Sequence, residues 1–309
     1  MTTRISLTVG PVLYYWPRRT LLDFYADVAD SAADTVVLGE VVCARRHEMR
    51  HDDWLALARE LAACGKEVVL ASQVLLESDA DLRGMRRLAQ QDAFRVEAGD
   101  ASALRALAGR PFVLGPHINI YSEPALREHA RLGAVRWVAP VELGLDALAQ
   151  INPPQAPVQG GPAADTPIAT EVFAFGRLPL AFSARCFTAR HLHLNKDECA
   201  FRCIEHPDGL QLNTGDGTPF LALNGIQTQS AAQHCLIGDA AALRRAGVSR
   251  ARLSPGAHHF GTVIDLFERV YNGDADAHDA AATLAALSLP GGLVNGFAHR
   301  RAGLERPPA

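Results

Sequence analysis

The chain has 309 residues, 48% of them hydrophobic and 21% charged, with a formal net charge of −4. That composition excludes disorder over most of the length and can bury a large α/β core. It also lacks the bulk basic field on which nonspecific nucleic-acid binding relies. The opening MTTRISLTVGPVLYYW has no charged leader, apolar core and small-residue cleavage site in succession. No signal peptide is expected, and no apolar run approaches bilayer length, so the chain is expected in the cytoplasm.

In chain order, ISLTV from Ile5 predicts a strand. Residues 18–33 follow, with Leu21, Leu22, Phe24, Tyr25 and Val28 at helical spacing. TVVLGE (residues 35–40) predicts a second strand, and residues 51–64 a helix closed by Gly65. The alternation continues with a strand over 67–75, a helix over 79–91 and a strand over 94–97. A helix over 101–108, a strand over 112–115, a helix over 124–132 and a strand over 135–139 complete it. Such β-α units predict a parallel sheet with helical crossovers. About six units before residue 150 favour an α/β fold of TIM-like (β/α)-barrel type, not necessarily regular, over an open doubly wound sheet. No GxGxxG follows the first strand, so dinucleotide binding has no support.

Residues 152–167 (NPPQAPVQGGPAADTP) read as a Pro/Gly-rich loop, an insertion within one domain spanning residues 1–309. IATEVFAFGRLPLAFSARC predicts a strand pair leading into a cysteine-rich segment over residues 184–206. Residues 209–223 read as a hairpin, and 240–246 and 260–270 as helices with a strand from Ala251 between them. The last residues read as a tail.

Six cysteines in a cytoplasmic chain point to metal binding or catalysis rather than to disulfides. Cys186, Cys199 and Cys203 lie in ARCFTARHLHLNKDECAFRC, with twelve residues between the first two and three between the last two. HLNKDECAFRC is polar and lacks core periodicity, so packing as buried thiols explains Cys199 and Cys203 poorly. A four-thiolate shell needs one more ligand. Cys43, in LGEVVCARRHE, follows the second strand. A β/α barrel opens all strand C-termini on one face, where Cys43 and Cys186 can meet. Zinc and iron-sulfur clusters both accept four cysteines. Arg45, Arg46, Arg185, Arg190, Lys196 and Arg202 can offset thiolate charge or simply form a solvated face. Cys64 and Cys235 read as small packing side chains.

Other candidates for chemistry sit at strand ends. Glu40 would point at the open face as an acid, base or supporting group, or cap a turn. His117, Asn119 and Tyr121 in GPHINIYSEP can line a pocket, although a lone histidine more often satisfies a loop. Glu142 and Glu171 can face the barrel interior, where a buried carboxylate needs a partner such as Arg177 or Arg185. Asn224 and Gln227, flanking Gly225 in LNGIQT, offer neutral hydrogen-bonding groups or a plain turn. The candidate catalytic set is therefore Glu40, His117, Asn119, Glu142, Glu171 and Arg185. No Gly-x-Ser-x-Gly, His-Glu-x-x-His or phosphate loop occurs.

GPVLYYWP, LGEVVCARRHE, LPLAFSARCFTARH, KDECAFRC, LNGIQT and NGFAHRRAGLE closely resemble the UbiV family of the collagenase-like peptidase superfamily. The resemblance runs from about Gly10 to the tail, and residues 152–167 are the least family-like stretch. It implies a barrel-type fold with a 4Fe-4S cluster as cofactor on Cys43, Cys186, Cys199 and Cys203. It further implies a heterodimer with the partner UbiU and cooperation with the lipid-binding protein UbiT. The implied activity is oxygen-independent hydroxylation in ubiquinone biosynthesis, with a quinone precursor as substrate and prephenate as hydroxyl donor. Cys64 and Cys235 have no counterpart in that pattern. A structural zinc scaffold and an RNA-hydroxylating relative are the competing readings.

Overall fold

A computed structural model describes residues 3–307. The first half alternates strictly. β1 (Ser6–Val9), α1 (Arg18–Ala29), β2 (Thr35–Leu38), α2 (His51–Ala63), β3 (Glu67–Ala71) and α3 (Asp79–Gln90) come first. β4 (Arg95–Ala98), α4 (Ala101–Leu107), β5 (Phe112–Leu114), α5 (Glu123–Arg131), β6 (Ala134–Val138) and α6 (Leu145–Ile151) follow. A small ribbon of β7 (Gln159–Gly160) and β8 (Thr166–Pro167) lies within residues 152–167, read above as loop. The remainder is β9 (Ala169–Phe182), α7 (Phe187–His191), β10 (Leu210–Asn213), β11 (Pro219–Asn224) and β12 (Gln227–Cys235). Then come α8 (Ala240–Arg245), β13 (Val248–Leu253), α9 (Phe260–Tyr271), α10 (Ala277–Ala286) and β14 (Leu293–Val294).

β1 to β6 are parallel neighbours in order. β6 pairs with β9, β9 with β13, and β13 with β1, all parallel. Eight parallel strands thus close into a TIM-like barrel ringed by helices. The valine-rich strands explain why it forms. Val37, Val69, Val113 and Val138 point inward, while Val36, Leu38, Val68 and Leu70 point outward against the helices. Each such side chain contributes about 1.5–3 kcal/mol when fully buried.

β9 is one strand of 14 residues rather than the expected strand pair. Its first half belongs to the barrel. Its second half leaves the wall and pairs antiparallel with β12, which pairs in turn with β11, and β11 with β10. This four-stranded flap stands above the barrel rim, and the cysteine-rich segment links β9 to it. The first helix stops at Ala29, short of the expected residue 33, because Ser31 and Asp34 turn the chain back by side-chain bonds to Val28 and Leu7. The tail is partly ordered too. α10 is capped by Asp276, and β14 adds to β12. Among the described residues no helix is long and apolar enough to cross a membrane.

Candidate functional site

The C-terminal ends of the strands carry the thiols. Beyond β2, the Glu40 carboxylate accepts hydrogen bonds from the amides of Val42 at 2.9 Å and Cys43 at 3.1 Å, which folds the Cys43 loop over the rim. Gly39 permits this turn. Its φ is +138°, and a Cβ there would lie 2.7 Å from the Ala71 carbonyl. Cys186 caps α7, its sulfur accepting the Ala189 amide at 3.4 Å. The Phe187 amide donates to the Gly225 carbonyl at 2.7 Å, and the Gly225 amide to Thr188 Oγ1 at 3.0 Å. The LNGIQT turn therefore pins the start of the cysteine segment to the flap.

Cys199 and Cys203 sit on two consecutive 3-10 turns, Lys196–Glu198 and Arg202–Glu205. Between them Ala200 and Phe201 both adopt left-handed backbone conformations, at φ 47° and 53°. Two such non-glycine residues together are costly and persist only where the surroundings over-determine them. The surroundings do so here. Arg45 from the Cys43 loop grips Asp197, Lys196 donates to the Ala184 carbonyl at 2.9 Å, and Trp16 Nε1 donates to the Pro207 carbonyl at 2.7 Å.

Arg46 joins these pieces. Its side chain is 1% exposed. It donates to the Leu13 carbonyl at 2.8 Å and to Asn224 Oδ1 at 2.7 Å, lies 3.5 Å from the Glu40 carboxylate, and covers the Tyr15 ring at 5.5 Å. It also lies beside the Cys203 and Cys43 thiols. Burial pushes the Cys43 and Cys203 thiols up, against the pull of Arg46, and the Cys186 sulfur raises both. Cys43, Cys186 and Cys203 therefore share one electrostatic neighbourhood. Cys199 stands on the turn before Cys203, its carbonyl accepting the Arg202 amide at 3.2 Å. Buried Arg46 Nε has no partner among the described residues, a spare donor where sulfur acceptors gather. A cation with a spare donor beside the Cys43 and Cys203 thiols suits sulfur ligands that carry negative charge. Among the described residues no three His, Cys, Asp or Glu side chains converge as the ligands of one ion would.

The structure separates the other candidates. Glu171 does face the barrel interior, but its partners are Arg252 at 2.6 Å and Arg136 at 3.6 Å, not Arg177 or Arg185. Arg177 instead serves the flap, donating to the Ala231 carbonyl at 3.2 Å, and Arg185 is exposed. Glu142 is exposed and bonded to the Tyr121 hydroxyl, so it does not face the interior. Asn119 is exposed as well. His117 meets Phe182 edge-on at 4.8 Å, and burial, then Arg252, pushes its pKa down to about 4. Cys64 is exposed rather than packed, whereas Cys235 is buried and pushed up to about 11 chiefly by that burial.

Sequence reasoning missed the ionic lattice inside the barrel. Arg252 holds Glu97 with both guanidinium nitrogens, at 3.0 and 2.5 Å, besides Glu171. Arg136 holds Glu67 at 2.7 and 2.8 Å. The signal was a charge at inward-facing alternate positions of RVEA, AVRWV and VSRARL. Directly over this lattice, Leu13, Val41, Val42, Ile226 and Phe182 pack together with Cys43 and Cys186. A cavity of about 30 Å³ at the barrel mouth is lined by Leu13 and Val41 beside His117 and Arg252. A larger cavity, about 380 Å³, lies off the axis between α2 and α3, and Glu40 and Arg46 line it.

Barrel, rim and thiols together define a TIM-like barrel protein with a cysteine-lined site at its strand C-termini. Residues 22–289 match peptidase family U32, and the chain belongs to that family. Among solved structures it is similar to the U32 peptidase Mk0906, at 12% identity and a TM-score of 0.43, covering 83% of this chain and 95% of that one. The spore cortex-lytic enzyme SleL of Bacillus megaterium QM B1551 is similar at 10% identity and a TM-score of 0.41, covering 88% and 75%. The spore coat polysaccharide biosynthesis protein spsE of Bacillus subtilis is similar at 12% identity and 0.38, covering 94% and 72%.

Proposed function

We propose that the chain binds a 4Fe-4S cluster through Cys43, Cys186, Cys199 and Cys203. In this reading it works in the cytoplasm as a UbiV-type subunit beside UbiU and the lipid-binding protein UbiT. The reaction served is oxygen-independent hydroxylation of a quinone precursor, with prephenate as hydroxyl donor. The observation that carries the reading is that Cys43 and Cys203 lie beside buried Arg46, with Cys186 next to both thiols and Cys199 one turn away. A bound cluster would supply electron-transfer capacity. The chain's own residues would hold it. Arg46 offsets thiolate charge, Glu40 fixes the Cys43 loop, and the Val42, Ile226 and Phe182 side chains keep water from the inner face.

The reading is tested by substituting each cysteine and measuring iron in protein purified without oxygen. Cys43→Ala, Cys186→Ala, Cys199→Ala and Cys203→Ala are expected to lose most of the iron, and Cys64→Ala and Cys235→Ala to keep it. Full iron content in Cys43→Ala would remove that residue from the ligand set, and loss in Cys235→Ala would show a different set.

A further inference from the structure

We propose that the groove between α1 and α9 binds an organic cation with an apolar body, an ammonium group carried on a ring or a hydrocarbon chain. The groove lies where the barrel closes. β13 pairs with β1, so the helices that follow these strands, α9 and α1, are neighbours in the outer ring. Neighbouring helices close their contact when large side chains of one fill the grooves of the other. Here the facing positions are small, with Thr20 on α1, Gly261 and Thr262 on α9, and Gly256 and Ala257 in the loop before it. They leave an open volume of about 760 Å³, within the range of small-molecule sites, whereas the barrel mouth keeps only about 30 Å³.

The floor is apolar and aromatic. Trp16, Val28, Phe260 and Ile264 line it around Phe24, whose ring meets Trp16 edge-on at 5.4 Å and Phe260 at 5.6 Å. Such a floor holds a ring or a chain, and ring faces also attract a cation.

The formal charge is of one sign. Asp23 and Asp27, one turn apart on α1, line the groove, and no lysine or arginine does. Asp27 has no hydrogen-bond or ion-pair partner among the described residues. Asp23 has Arg19 at 3.4 Å, but their side chains are 68% and 90% exposed, and such a pair holds together weakly. His259 stands on the opposite wall, where α9 begins. The N-terminus of α9 adds about half a positive charge, which fades within its first turn, against two full carboxylates. An anion would face those carboxylates with no basic side chain to answer it. A bare metal ion would leave the aromatic floor unused and would find exposed carboxylates in place of a closed oxygen shell. An amine on an apolar body uses both features.

The groove also touches the cysteine segment. Ile204, next to Cys203, lines it, as does Pro207, whose carbonyl accepts the Trp16 Nε1 proton at 2.7 Å. A ligand seated here would bear on the turn that carries Cys203. The site itself stands independently of the function proposed above.

Gly261 supplies the block. It lies in the first turn of α9, lines the groove, and a Cβ built there meets nothing within 4 Å. Gly261→Phe and Gly261→Leu therefore fill the groove without displacing backbone. Gly261, Asp23 and Asp27 are all exposed, so their variants are expected to fold. The probes are phenethylamine and 3-phenylpropionate, alike in ring and opposite in charge, titrated calorimetrically at pH 7. One phenethylamine per chain is expected, with 3-phenylpropionate at least about tenfold weaker, as one lost charge-assisted hydrogen bond implies. Either Gly261 variant should weaken phenethylamine at least about tenfold, and so should Asp23→Asn combined with Asp27→Asn, which should also remove the preference for the amine. Absent phenethylamine binding, equal binding of 3-phenylpropionate, or unweakened binding in both Gly261 variants would overturn the site. Unweakened binding in the double Asp→Asn variant would overturn its selectivity for a cation.

Discussion

At the residue scale, Arg252 is the side chain on which the barrel interior depends. It is 2% exposed and answers two carboxylates, Glu97 and Glu171, that are themselves buried. Removing one partner of a buried ion group leaves unpaired charge in low dielectric, at a cost of about 3–5 kcal/mol. Arg252→Leu is therefore expected to lower unfolding free energy by that amount in a urea titration. Adding Glu97→Gln should recover part of it, since one stranded charge is then removed. A loss below about 1 kcal/mol would mean that water reaches these carboxylates. This lattice also shows what a sequence conceals. The inward positions of Glu171 and Arg252 follow from alternation along each strand. Their pairing joins residues 81 apart across a closed barrel, and no local pattern encodes that. Glu142 was misplaced for the opposite reason, because an exposed loop after a strand looks the same in sequence as a turn into the mouth.

At the element scale, the β-α alternation was legible because valine-rich runs and amphipathic helices have different periods. The meeting of Cys43 with Cys186 followed from barrel geometry once that alternation was recognised. β12 was not foreseen. QTQSAAQHC is polar and poor in β-branched residues, and it becomes a strand only because the free half of β9 offers it an edge. α10 was passed over as tail although Asp276 caps an alanine-rich run, both of them helix signals. β9 was divided in reading because Gly176 and Pro179 punctuate it, yet one backbone serves barrel and flap in turn. Among the helices, α3 carries an avoidable cost at Gly84. Gly84→Ala should raise stability by about 0.5–1 kcal/mol, visible as a higher melting temperature. An unchanged or lower value would mean that the helix bends or frays there.

At the scale of the whole molecule, acid should weaken the fold well above the carboxylate range. Burial, and then His299, pushes the His234 pKa down to about 4, against about 6.5 in an unfolded chain. Between those values the unfolded chain binds a proton that the folded chain refuses, so stability falls as pH falls through that window and is complete above it. His117, also pushed down to about 4, acts in the same direction with less weight because it is half-buried. The two histidines differ in what their removal would disturb, since His117 packs on Phe182 at the barrel mouth and His234 lies on the flap strand. Unfolding titrations at pH 7 and pH 5 should show His234→Gln losing roughly 2 kcal/mol less than the parent across that interval. Parallel losses in the two proteins would show that His234 is protonated within the fold.

The whole molecule is also where the cysteine assignment stands or falls. The barrel brings Cys43 and Cys203 beside one buried arginine, with Cys186 next to both thiols and Cys199 on the adjoining turn, and the proposed ligand set rests on that placement. The most direct measurement is the iron, acid-labile sulfide and zinc content of protein purified without oxygen, taken with its visible spectrum. The account predicts a brown protein with about four irons and four sulfides per chain. A colourless protein with about one zinc and no sulfide would contradict it.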